Sequence, residues 1–316
     1  MNATGVDLRK VWVPALLLII LLLLVALPYA RPGYTVVLVY TILMYIILTM
    51  SWVLFSGPTG YLSLAPAAFF GVGIYTSALL VMKLPLPVVI AVGGLASACL
   101  ALLVGALTLR LKGIYFAIFT FGLVELMKYF VLWFELKFSG TRGRFLLPTD
   151  NETIYYVLLA ILVALLLTTY LVRRSKYGLA LHGIGEDEEA AAHTGVNVTL
   201  LKVITFAISA IFIGAAGAIW AIRLTYIDPY IAFDINNSFM PVLMAIFGGM
   251  GQLYGPVLGA TVFSYLREIL ITKFPYHYML LIGIILLLAI LYLPDGLSGL
   301  VQQWQKRRSE RQHGAA

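Results

Sequence analysis

Charge is scarce in this 316-residue chain: Asp, Glu, Lys and Arg together make up 11% of it, where a soluble domain carries about 25%. Cysteine is almost missing. Cys99, inside an apolar run, is the only one, so no intrachain disulfide is possible. The four histidines, His182, His193, His277 and His313, show no metal-ligand spacing. There is no Gly-x-x-x-x-Gly-Lys-Ser/Thr loop, which excludes ATP hydrolysis by that route. There is no nucleophile elbow or zinc-protease motif either, and no serine, Ser63 included, has an identifiable base. These absences exclude a soluble enzyme, a nucleic-acid-binding module and a disordered protein, and they leave an intramembrane enzyme without a catalytic constellation.

What fills the chain is apolar: 62% of the residues are hydrophobic and mean hydropathy is +0.98. At ~20 apolar residues per membrane-spanning helix, this suffices for roughly nine or ten spans. Hydropathy places them at Val11–Tyr29, Tyr34–Phe55, Tyr61–Met82, Pro87–Leu109, Ile114–Phe134, Thr153–Val172, Val203–Ile222, Phe239–Gly249, Leu253–Ile271 and Tyr278–Leu293. The first is read as an uncleaved span, because Pro28 and Tyr29 make a poor signal-peptide cleavage site. The fold expected is all-α and polytopic: one transmembrane domain over 1–300, then a basic cytoplasmic tail, 301–316. The net charge of +7 sets orientation rather than marking a nucleic-acid partner. The clusters Arg9–Lys10, Arg110–Lys112 and Arg173–Lys176 and the tail Lys306–Arg311 all fall on one side, which the positive-inside rule makes cytoplasmic, together with both termini. That parity requires Phe239–Gly249 to cross. Eleven residues rise only ~17 Å as helix, so a broken helix or a re-entrant loop is the alternative.

Two glycine-rich breaks stand out, Gly57-Pro58-Thr59-Gly60 and Gly248-Gly249-Met250-Gly251, each followed two residues on by a leucine, Leu62 and Leu253. They read either as interrupted helices in a duplicated transporter or as tight inter-span turns. With the adjacent Tyr61 and Ser63, and with Glu125 and Lys128 three residues apart on one face of the fifth span, they form the candidate translocation path; charges inside spans are costly and often functional. The rival reading of Glu125 and Lys128 is a mutual ion pair near the interface. The spacings Gly251-Gly255-Gly259 and Ala210-Gly214-Ala218 predict close helix packing. Arg267 and Glu268 are expected at the interface, and Asn236, Asn237 and Ser238 as helix caps, with the lining of an outer vestibule as the alternative.

The polar segment 173–202 is the most informative. Gly185 precedes four acids, Glu186, Asp187, Glu188 and Glu189; then come Ala190, Ala191, Ala192, His193 and Gly195. Acids in a first turn and a glycine just past the end predict one short helix too polar for lipid. On composition it is either a solvated loop or a docking element for a cytoplasmic partner.

Four stretches together resemble the permease subunits of branched-chain amino acid ABC importers. These are Gly60-Tyr-Leu-Ser-Leu-Ala-Pro-Ala-Ala-Phe-Phe-Gly-Val-Gly-Ile-Tyr75, Leu109-Arg-Leu-Lys-Gly-Ile-Tyr-Phe-Ala-Ile-Phe-Thr120 with Glu125 following, Arg174-Ser-Lys-Tyr-Gly178 through Glu186–Ala192, Gly195 and Lys202, and Phe247-Gly-Gly-Met-Gly-Gln-Leu-Tyr-Gly-Pro-Val-Leu-Gly-Ala260. The resemblance implies an inner-membrane permease, with Glu189-Ala190-Ala191 and Gly195 in a coupling helix seated on an ATPase subunit. It also implies two ATP-binding cassette subunits carrying the ATP and magnesium, a second related permease and an extracytoplasmic solute-binding protein. No cofactor is expected in this chain. The solute implied is a branched-chain amino acid, with urea, short amides or another small polar solute as alternatives. The chain departs from the family pattern at His182, at Gly185 and in Ser139-Gly-Thr-Arg-Gly-Arg144. The rival classes are a stand-alone secondary transporter or channel, which would lean on Glu125, and a structural membrane subunit.

Overall fold

The computed structural model describes residues 8–30, 33–111, 113–146, 149–292 and 296–299. Lys112 and the basic tail, both used above to orient the chain, lie outside them. The elements are α1 (Leu8–Ala30), α2 (Tyr34–Thr59), α3 (Pro66–Leu80), α4 (Leu86–Thr108), α5 (Ile114–Phe134) extended by a π-helical turn (Glu135–Ser139), β1 (Arg144–Phe145), α6 (Asn151–Arg174), α7 (Lys176–Glu186), α8 (Glu188–His193), α9 (Val198–Ala221), β2 (Tyr226–Ile227), α10 (Pro229–Ala232), α11 (Asn236–Gly248), α12 (Tyr254–Lys273) and α13 (Tyr278–Tyr292). The architecture is helical, apart from one small antiparallel ribbon in which Arg144 pairs with Ile227 and Phe145 with Tyr226. Among the described residues, six helical segments are long and apolar enough to cross a membrane: α2, α4, α5 with its π turn, α6, α9, and α10–α11 taken as Pro229–Gly248. Ile19–Ala30, Pro66–Leu80 and Tyr278–Leu288 are shorter apolar helices.

α2 is the hub. From Leu43 to Ser56 every residue is buried, as expected of a helix hydrophobic all round. It packs on α6, α9, α11 and α12. The tightest pairing is α9 on α3 and α4. There the Ala210-Gly214-Ala218 stripe lies where a Cβ on Gly73 would strike the Gly214 backbone and one on Gly93 would strike Ala218. Small residues let these backbones approach.

The bundle has two ends. At one, the Tyr34 hydroxyl donates to Glu268 on α12 (3.0 Å), near the β1–β2 ribbon. At the other, the end of α2 lies against α7, where a Cβ on Gly185 would strike the Pro58 carbonyl.

The structure corrects several expectations. The third span is helical only from Pro66, with 60–65 outside any helix or strand. Gly57 and Pro58 do not interrupt α2, which runs on to Thr59 and stops at Gly60, whose φ of 71° supplies the left-handed cap. Gly251 lies outside α12 with nothing against it, so the packing stripe reduces to Gly255 and Gly259, which face α11 and its end at Gly248–Gly249. Phe239–Gly249 belongs to a broken helix: α10, a gap at 233–235, then α11. The polar segment holds two helices, since α7 runs through Gly178, Gly183 and Gly185 with Leu181 and Ile184 turned inward.

Candidate functional site

A short polar helix is present in this segment as α8. Asp187 caps it, its Oδ1 accepting from the backbone N–H of Glu189 (2.9 Å) and Ala190 (3.1 Å), the N-cap arrangement. Gly195, with φ +87°, follows its end. Ala191 faces inward in a cluster with Ile184 and Val198, while Glu186, Glu189, Ala190, Ala192 and His193 are exposed. The four acids therefore divide. Glu188 turns toward the bundle, where its Oε1 accepts from Lys202 Nζ (2.8 Å) and its Oε2 from the Tyr61 hydroxyl (2.6 Å).

Lys202 is the centre of this end. It is only 1% exposed, and its ammonium also donates to Tyr61 Oη (3.0 Å) and to the Leu109 carbonyl at the end of α4 (3.0 Å). It lies 4.4 Å from the Tyr61 ring centroid. A buried ammonium is costly unless all its donors are used, and here three acceptors from three elements meet it. The Leu109 carbonyl belongs to the negative end of the α4 dipole, which favours a cation there. Tyr61 lies in the non-helical segment before α3, so α8, α9, α4 and that segment are joined at one nitrogen.

The segment 60–65 would be untenable in hydrocarbon without partners for its backbone. Side chains supply them. Trp52 Nε1 donates to the Ser63 carbonyl (2.7 Å), Leu64 N–H donates to Thr120 Oγ1 (2.9 Å), and Ser238 Oγ donates to the Leu64 carbonyl (2.8 Å) and accepts from Ala67 N–H (2.9 Å). Ser63 Oγ accepts from Ala65 N–H (3.3 Å). Ser238 is thus a clasp between the two broken helices rather than a cap.

The candidate path residues do not converge on one channel within this chain. Gly57 and Gly251 line a cavity of ≈ 170 Å³ with Arg173 and His182. Gly60 and Tyr61 line a groove of ≈ 610 Å³ beside Glu188. Gly248 and Gly249 are helix contacts, against Gly255 and Gly296. Glu125 and Lys128 form an ion pair of 2.6 Å on α5, 35% and 14% exposed, away from both spaces.

At the ribbon end the π turn brings Glu135 inside (2% exposed). Its Oε2 accepts from Tyr75 Oη (3.3 Å) and Gly143 N–H (3.0 Å), and Arg144 lies 3.7 Å from Oε1. Arg142 pairs with Asp228 (2.7 Å), which also accepts from Ile231 N–H (2.8 Å) to cap α10. That hydrogen bond raises the Arg142 pKa further above its already high ordinary value. Both loop arginines are therefore neutralised by this chain's own acids. Lys202, Ser238, Glu135 and Asp228 were not singled out as site residues from sequence. The readable signal was slight: a lysine and two acids at the edges of apolar runs, and one hydroxyl within one.

Residues 34–290 match the family described as "Branched-chain amino acid transport system / permease component". The chain is 29% identical to the high-affinity branched-chain amino acid transport system permease protein LivM of Salmonella typhimurium, over 94% of this chain and 78% of that protein. It is 29% identical to its namesake in Escherichia coli, over 89% and 74%. A partial match, 29% identical over 49% of this chain and 44% of the other, is to the fructose import permease protein FrcC of Rhizobium meliloti. No solved structure gives a significant match.

Proposed function

This chain belongs to the branched-chain amino acid transport permease family, and from that premise we propose that it is the membrane subunit of an inner-membrane ABC importer for a branched-chain amino acid. The reading adds four further crossings to the six long apolar segments: α1, α3 with its non-helical lead-in, α12 and α13. That makes ten, with both termini, α7 and α8 on the cytoplasmic side and residues 1–300 forming one permease domain. Two ATPase subunits bring ATP and magnesium, a second permease completes the path, and an extracytoplasmic binding protein delivers the solute. The path residues split between separate spaces in this chain, which suits a channel finished by a second permease.

One observation carries the reading. α8 presents Glu189, Ala190 and Ala192 outward while Glu188 ties it through Lys202 to Tyr61. A displacement of α8 by an ATPase is then delivered to a stretch of backbone held by side chains instead of a helix ladder. A solute bound equally in both states cannot drive the change, so the work enters through α8.

The test is uptake of labelled leucine by cells carrying the whole importer. Ala191→Pro removes the Ala191 N–H that donates to the Asp187 carbonyl (3.0 Å), and Glu189→Lys reverses an outward charge. Each is expected to lower uptake at least tenfold at unchanged membrane abundance, with ATPase no longer co-purifying. Unchanged uptake in both variants would refute α8 as the coupling element.

A further inference from the structure

A cavity of ≈ 290 Å³ opens among α2, α3, α9, α10, α11 and α12 at the ribbon end, opposite α8. Five of its fifteen lining residues are Arg223, Arg267, Asp234, Glu268 and Asn237. Neither arginine forms an ion pair with a described residue. Arg223 lies over the rings of Tyr40 (5.4 Å) and Trp220 (4.6 Å). Arg267 lies 5.5 Å from the Tyr45 ring centroid, and its Nε is buried with no hydrogen-bond partner. The acids likewise form no ion pair with a described residue. Asp234 accepts from Asn236 N–H and Nδ2, both at 3.0 Å and both on Oδ1, and its Oδ2 takes no hydrogen bond from a described residue. Glu268 accepts from Tyr34.

Arg223 is exposed and Arg267, Asp234 and Glu268 are half-buried around this cavity, so a ligand can reach all four; the buried, unpartnered Nε of Arg267 stands to gain most from an anion. We infer that this cavity is a binding site for the zwitterionic head of a small aliphatic α-amino acid, the carboxylate going to Arg267 and Arg223 and the ammonium to Asp234. A sugar or urea would leave the guanidiniums without an anion. A dianion would face Asp234 and Glu268, and a simple amine would face both arginines. The set sums to zero, which suits a ligand that does too. Met44, Phe70, Ile74 and Ile231 supply apolar wall for the side chain. At the lower edge of the roughly 300–1,000 Å³ typical of ligand pockets, the volume suits a solute smaller than a drug. The inference rests on the importer reading for the aliphatic side chain only; the charge argument is independent of it.

The test is direct calorimetric titration of the full-length chain in detergent, with whatever subunits co-purify and without soluble binding protein. The probes are L-leucine, 4-methylpentanoate (no ammonium) and 3-methylbutylamine (no carboxylate). Leucine is expected to bind at millimolar concentration or tighter, and each analogue at least tenfold more weakly. Arg267→Gln is expected to weaken leucine at least tenfold, the loss of a charge-assisted bond, while Arg267→Lys recovers part of it. Absent leucine binding, analogues that bind as well as leucine, or Arg267→Gln binding like the wild type would each overturn the site. If the variants do not fold, the analogue series on the unmodified chain decides. ATPases that co-purify with a chain blind to leucine would sink the cavity and spare the importer; leucine binding by a chain recovered alone would do the reverse.

Discussion

The two ends of the bundle use the same device with opposite signs. At the α8 end a cation is buried: Lys202, 1% exposed, with its acid Glu188 at 25%. At the ribbon end an acid is buried: Glu135, 2% exposed, with its cation Arg144 at 35%. The difference lies in what each joins. Lys202 reaches a loop helix, the end of α4 and the non-helical segment before α3 at 2.8–3.0 Å. Glu135 fastens a loop to its own helix and to α3, and its arginine stands off at 3.7 Å. One end ties three elements to a single buried nitrogen, the other ties a loop to α3 through a single buried carboxylate.

The largest break should come from Lys202→Met. It leaves Tyr61 Oη and the Leu109 carbonyl without the ammonium donor, and Glu188 without its cation. Removing one partner of a buried pair costs 3–5 kcal/mol when both are dry; with Glu188 a quarter exposed, about 3 kcal/mol is expected. Thermal unfolding in detergent measures it. Lys202→Met with Glu188→Leu should recover part of the stability, because no lone charge remains, yet should not restore uptake, because α8 is then uncoupled from Tyr61. Recovery of both would reduce the cluster to packing.

Glu135→Gln is the matching change at the other end, and a smaller one. The amide keeps an acceptor for Gly143 N–H and Tyr75, and forfeits only the attraction of a cation that is not in hydrogen-bond range. About 1 kcal/mol is expected, with uptake close to unchanged. A loss of uptake as deep as that of Lys202→Met at this small cost in stability would erase the distinction between the ends.

Much of this frame was legible in sequence, and the failures have particular causes. α4, α5, α6 and α9 were found because long apolar runs allow little else. The break at Gly57–Gly60 was read, but the non-helical 61–65 beyond it was hidden because Tyr-Leu-Ser-Leu-Ala is as apolar as the helices around it; hydropathy measures burial, not backbone geometry. α7 was missed because three glycines outweighed the inward Leu181 and Ile184. The short polar helix was located, but its run of four acids does not say that Asp187 caps and Glu188 turns inward, since that choice is made by Lys202 fourteen residues later. Arg267 and Glu268 were read as interfacial because a span end usually is; that they share a cavity with Arg223 and Asp234 depends on the return of α10 and α11, which no local pattern encodes.

The smallest effect should come from Arg142→Ala, and it sharpens the comparison through salt rather than size. Arg142 is 48% exposed, with a 2.7 Å bond to Asp228 and its guanidinium 4.5 Å from the Tyr230 ring centroid. Exposed ion pairs contribute little and are screened by salt. Its removal should lower the melting temperature less than Glu135→Gln does, and the difference from wild type should shrink on going from 0.05 to 0.5 M salt, as roughly 14 Å of screening length falls to about 4 Å. The Lys202 deficit should not move across the same range, because no water or ion reaches a residue 1% exposed. A salt-sensitive Lys202 deficit, or a salt-insensitive Arg142 one, would mean that the two ends are not separated by burial, and that the ribbon end is wired into the core as firmly as α8.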